Sequence, residues 1–106
     1  MAWINLLMAG FLEVGWAVSL KFTDGWTRVI PSILTALLMA ASFYFLALAL
    51  RAIPIGTAYA VWTGIGALGT AVIGMLLFQE PCNAARIAFL GLILIGIAGL
   101  KATSPH

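Results

Sequence analysis

Few side chains in this sequence can do chemistry, and one of them stands where charge is expensive. The chain carries three carboxylates, Glu13, Asp24 and Glu80. Asp24 and Glu80 fall in the short polar segments between apolar runs and are expected to be solvated. Glu13 falls more than halfway along the apolar run from Ala2 to Leu20. An ionised group at the middle of a bilayer costs at least about 2.5–3.5 kcal/mol. No lysine or arginine lies deep in any apolar run to neutralise it. Glu13 therefore either holds a proton at rest or pairs with a cation that arrives from outside the protein. A transporter that exchanges protons for a cation needs one group that does both. The alternative is a protonated carboxyl that serves only helix association.

The surroundings of Glu13 suit a cation. On a helix, Ala9, Gly10, Trp16 and Ala17 lie three or four positions away and share its face. The small residues leave space beside the carboxylate, and Trp16 offers a π surface and an N–H donor. Further along, Tyr59 and Trp62 are three apart, with Thr63 beside them. Aromatic rings attract weakly hydrated cations by about 0.5–2 kcal/mol. Their O–H and N–H groups can also orient a carboxylate. Ser42, midway along the second apolar run, can relay or cap such a network. Taken singly each has a plainer reading, since Trp and Tyr form interfacial belts and a serine often bonds its own helix. Trp3 and Trp26 flank the first run and read as such anchors. His106 ends a polar tail and is not expected to be a ligand or a base.

These residues need elements that hold them in lipid. The chain has 106 residues, 64% hydrophobic and 8% charged, whereas a soluble domain carries roughly a quarter of its residues charged. A spanning helix takes about 20 mainly apolar residues. The runs predict spans over 2–20, 29–50, 57–78 and 85–100, joined by short connections, with Pro31 harmless in the first turn of its helix. The fold expected is one all-α transmembrane domain over 1–106. The first run is read as a span and not as a cleaved signal, because no basic residue precedes it and no soluble mature domain follows.

Charge limits partners and orientation. A net charge of +2 spread over isolated basic residues offers no basic run to track a phosphate backbone, so nucleic acid is excluded. Arg51 and Lys101 would lie on one side of the membrane, and Lys21, Arg28 and Arg86 on the other. Orientation follows the Lys/Arg bias, and this split is almost no bias. An antiparallel dimer is allowed, against the alternative of one weakly fixed orientation. Gly64, Gly66, Gly69 and Gly74 in the third run, and Gly91, Gly96 and Gly99 in the fourth, let helix backbones approach in lipid. Four helices enclose little volume, so a pathway is expected to need a second copy. Cys82 is the lone cysteine, which excludes an internal disulfide and a multi-cysteine metal site. No cofactor or metal is expected. No nucleophile–base pair suggests an enzyme.

Over essentially its full length the sequence resembles the small multidrug resistance family of bacterial exporters. The resemblance rests on the chain's size, the four runs, Glu13 within AGFLEVGWAVSLK, and the stretch IPIGTAYAVWTGIGALGT. The segment GTAYAVWTGIGA, with Thr57 and Thr63, is similar to the branch that exports guanidinium ions. A second branch exports bulky aromatic and quaternary ammonium cations. The resemblance implies an antiparallel homodimer in the bacterial inner membrane, with Glu13 of both copies binding protons or substrate in competition. It implies that Trp16, Ser42, Tyr59 and Trp62 line the shared site, and that the span around Gly91 to Gly99 carries much of the dimer contact. Third-span glycines would permit bending as the dimer switches. Phe43 and Tyr44 stand beside the site, where they would tune tolerance for hydrophobic substituents.

The expected activity is proton-coupled export of guanidinium and small guanidinyl cations. The alternatives are a broad quaternary ammonium exporter, a passive small-ion channel, and a membrane assembly subunit that transports nothing. Competition by tetraphenylphosphonium-like cations, currents indifferent to a proton gradient, and failure to bind any cation would point to these in turn.

Overall fold

A chain in lipid must satisfy its backbone polar groups within each segment, so apolar runs of spanning length become helices. The computed structural model describes residues 1–103 and holds among them four helices: α1 (Ala2–Lys21), α2 (Val29–Ala49), α3 (Ile55–Leu77) and α4 (Ala84–Thr103). His106 lies outside the described residues. The helices are 20 to 23 residues long. At about 1.5 Å per residue each matches the ~30 Å hydrocarbon core of a bilayer.

Two helix ends differ from the hydropathy reading by more than one residue. α3 starts at Ile55, two residues before Thr57, because Pro54 serves as its N-cap and accepts the Ala58 N–H at 2.9 Å. Proline lacks an N–H that the helix interior would need, and at a helix start nothing is lost. α4 continues past Leu100 to Thr103. Lys101 stays helical while its ammonium reaches over the Trp3 ring, 5.4 Å from the centroid. A long aliphatic stem can leave lipid without the backbone leaving the helix.

The connections are tight. After α1, Asp24, Gly25 and Trp26 take φ of 50°, 69° and 69°, a left-handed run in which only glycine is unhindered. Buried Thr23 holds it: its hydroxyl donates to the Leu20 carbonyl (2.7 Å) and accepts from the Trp26 N–H (3.1 Å). Its carbonyl accepts the Thr27 and Arg28 N–H groups. Between α3 and α4, the Gly74 carbonyl accepts from both the Phe78 and Glu80 N–H groups. Asn83 Oδ1 accepts the Arg86 N–H at 2.8 Å, a cap on the first turn of α4. Glu80 is less simply solvated than expected. Its carboxyl packs where a Gly74 side chain would stand and accepts from Arg86 Nη2 at 2.9 Å.

Helix α1 packs against both α2 and α3, while the α4 backbone comes close to α3 and meets α1 through the Lys101 side chain over Trp3. The four-helix chain is flat, 43 × 35 × 17 Å, too thin to wrap helices around a lumen. Its buried apolar residues, Leu6, Ala9, Ala49, Ile53, Ala58, Val61 and Trp62, gather where α1 begins, α2 ends and α3 begins. At the opposite end Phe22 meets Phe78, with ring centroids 5.7 Å apart, and Lys21 lies over the Phe78 ring. A buried hydroxyl pair, Ser19 and Thr35 at 2.6 Å, joins α1 to α2 near that end. Most remaining large apolar side chains are exposed, which is stable only against lipid or another copy.

Candidate cation and proton site

The site is built on the crossing of α1 with α2 and α3. Ala9 is fully buried there, which brings α2 close enough for Ser42 to donate to its carbonyl at 2.7 Å. The Trp62 indole N–H of α3 donates in turn to the Ser42 hydroxyl at 3.0 Å. One serine thus satisfies an indole and ties three helices, with donor and acceptor both buried. In low dielectric such a chain is rigid, because each broken bond leaves a buried polar group bare.

An aromatic wall grows from that anchor. Phe43 meets Trp62 edge-on, centroids 5.7 Å apart, and Tyr59 meets it tilted at 5.6 Å. Trp62 is 8% exposed, whereas Tyr59 is 58% and Phe43 45% exposed. The wall is therefore anchored inside the helix bundle and open on its outer side. Tyr44 is exposed on α2 and pairs with Phe45 at 5.6 Å.

Glu13 stands one helical turn from Ala9, as Gly66 stands one turn from Trp62. The two meet: the Glu13 carboxyl lies against Gly66, in the space a side chain there would fill. Glu13 Oε1 is buried with no hydrogen-bond partner among the described residues. The indole N–H of Trp16 is likewise buried without one. An acceptor and a donor at hydrocarbon depth, both unanswered among the described residues, invite a proton or a ligand.

Other residues singled out in the sequence take separate places. Gly10 is buried, and its missing side chain makes room for Ile65 of α3. Gly69 does the same for Val14 of α1, and Gly64 for Ile97 and Ile93 of α4. Gly91, Gly96 and Gly99 face open space: among the described residues nothing lies within 4 Å of where their Cβ atoms would be. Thr63 is exposed on α3, and Cys82 is exposed in the α3–α4 connection. The sequence carried no sign of two partnerships: Ser42 with the Ala9 carbonyl, and Glu13 with Gly66. Small residues at Ala9 and Gly66 were the available signal, but size alone does not say which helix comes close.

Comparison with known proteins identifies what the chain is similar to. The family model described as "Small Multidrug Resistance protein" matches residues 1–93. A protein named guanidinium exporter from Yersinia pseudotuberculosis serotype I (strain IP32953) is 58% identical over 104 residues, 98% of this chain and 100% of the relative. Proteins of the same name from Citrobacter freundii and Escherichia coli (strain K12) are 56% and 54% identical over 101 residues, each covering 95% of this chain and 96% of the relative.

Proposed function

The chain belongs to the small multidrug resistance family, and from that premise we propose that it exports guanidinium and small guanidinyl cations in exchange for protons. It is a multi-pass transporter of the bacterial inner membrane. The observation that carries the proposal is the Glu13 carboxyl, seated against Gly66 with its buried oxygen unpartnered among the described residues, one helical turn along α3 from the Trp62 indole that Ser42 holds in place. The names of the similar exporters support guanidinium as the substrate.

The working unit is an antiparallel homodimer. A protomer only 17 Å thin leaves Tyr59 and Phe43 open on one face, and a second copy is what closes a site over them. The near-even split of Arg51 and Lys101 against Lys21, Arg28 and Arg86 supports both orientations. Two Glu13 side chains then face one shared space.

Guanidinium is planar and its N–H groups match a carboxylate in a bidentate pair. Its weak hydration lowers the cost of leaving water, and the Tyr59 and Trp62 faces offset part of what remains. Proton and guanidinium neutralise the same negative charge, so each displaces the other. The empty dimer, with two bare carboxylates, switches poorly because the change of access would carry them through low dielectric. Dimers loaded with protons or with substrate switch well. An inward proton gradient then drives the cation out. Trp62, held by Ser42, keeps its ring plane fixed beside the carboxylate through both loaded states.

Guanidinium-evoked current in proteoliposomes of the purified protein tests the proposal. Current is expected that requires Glu13 and grows with a proton gradient. KM for guanidinium should rise as pH falls while kcat changes little, the sign of competition. Current that persists in Glu13→Gln, or that ignores the gradient, would overturn it.

A further inference from the structure

Three glycines shape the contact between α1 and α3, and they do not do the same thing. A side chain at Gly10 would run into Ile65, with the Ile65 Cβ 2.8 Å away, and one at Gly69 would run into Val14. Both neighbours are β-branched and stiff at χ1. They cannot move without the helix moving, so these two glycines set how closely α1 and α3 cross. At Gly66 the neighbour is the Glu13 carboxyl, the far end of a flexible side chain. Relief there needs only a rotation of Glu13, with the helices staying where they are.

We infer that Gly66 is the positioning residue for Glu13: its bare backbone is a seat in which the carboxyl lies, and the seat sets the direction from which that carboxyl meets a proton or a cation. The inference rests on the proposed role of Glu13 in transport. Three observations carry it. The carboxyl occupies the volume a residue-66 side chain would take. Its buried Oε1 accepts no hydrogen bond among the described residues, so packing is what places it. Gly66 is one turn from Trp62, whose indole N–H donates to the Ser42 hydroxyl, so the seat and the anchored indole stand on adjacent turns of α3. A carboxylate held by shape and not by a donor can accept a proton or a guanidinium without first breaking a bond. That suits a group which must exchange the two.

A methyl at residue 66 fills the seat and turns the carboxyl out. Gly66→Ala is expected to keep its dimer and its melting temperature, while KM for guanidinium rises about tenfold, since displacements near 1 Å at a binding centre are costly. Gly69→Ala, which pushes on Val14, should instead lower the melting temperature. Aspartate is one methylene shorter than glutamate and frees the space the new methyl takes. Glu13→Asp in the Gly66→Ala background should therefore bind guanidinium better than Gly66→Ala alone. The 13C resonance of the Glu13 carboxyl at fixed pH reports the seat without transport. It should move in Gly66→Ala while the Gly10 and Val14 amides stay in place. An unmoved carboxyl resonance, a KM within about twofold of the wild type, a lost dimer, or absence of rescue by aspartate would overturn the inference. A wild-type protein silent to guanidinium, with the carboxyl resonance still moved by Gly66→Ala, would count against the transport proposal and leave the seat standing.

Discussion

Helices α1 to α3 and helix α4 spend their small residues in opposite ways. Within the first three, small size brings backbones together and puts polar atoms in contact: Ala9 admits Ser42, Gly66 admits Glu13, and Ser19 meets Thr35. Each approach is completed inside the protomer. Helix α4 has no buried residue, packs its backbone against α3, reaches α1 through Lys101 over Trp3, and turns Gly91, Gly96 and Gly99 toward open space. In lipid there is no hydrophobic gain from gathering leucines, so what distinguishes an interface is close packing and polar bonding. The three-helix part has both already. Helix α4 has only the surface, along which the family resemblance implies contact with another copy.

The comparison can be broken by substitutions on either side of it. The largest effect is expected at Glu13, where Glu13→Gln removes the exchangeable charge and keeps the shape. Transport should fall to background with helix content by circular dichroism unchanged; a collapse of helix content would make Glu13 a packing residue instead. Next is Gly96→Val, which adds bulk to a face empty in the protomer. The dimer fraction in detergent, read by chemical crosslinking, should drop about tenfold or more, as expected where small residues let helices meet. An unchanged dimer would put the interface elsewhere.

Ser42→Ala tests the buried side. It strands the Trp62 N–H and removes a second bond to the Ala9 carbonyl, and a buried group left unsatisfied costs about 1–3 kcal/mol. The melting temperature should fall, and KM for guanidinium should rise as the ring loosens. Smallest is Arg86→Gln, which breaks a half-exposed ion pair with Glu80. Such pairs are worth about 0–1 kcal/mol, so the melting temperature should barely move and the small change should fade in salt. A large loss there would show that the α3–α4 connection bears more strain than its exposure suggests.

Much of this protein was legible in its residues. Apolar runs of spanning length admit one solution in lipid, so the four helices could be placed to within a few residues. Glu13 was conspicuous because charge at mid-membrane is costly wherever the chain folds. Trp62 and Tyr59 could be paired from their spacing on one helix. The ends of α3 and α4 were less legible. There, Pro54 and the stem of Lys101 decided the boundary, and hydropathy does not register capping or snorkelling.

What only the tertiary structure decided is which helix each small residue faces. Periodicity puts Gly10, Gly64, Gly66 and Gly69 on helix faces but does not say whether the neighbour is an isoleucine, a valine, a carboxyl or nothing. The crossing of α1 with α3 sets that, and it separates Gly66, which receives the carboxyl proposed to bind protons and substrate, from Gly10 and Gly69, which receive aliphatic knobs. It also gives Ser42 its two partners on two other helices. Burial energetics, being local, can be read along a chain. Neighbours across a helix crossing depend on an angle and a depth that no single segment contains.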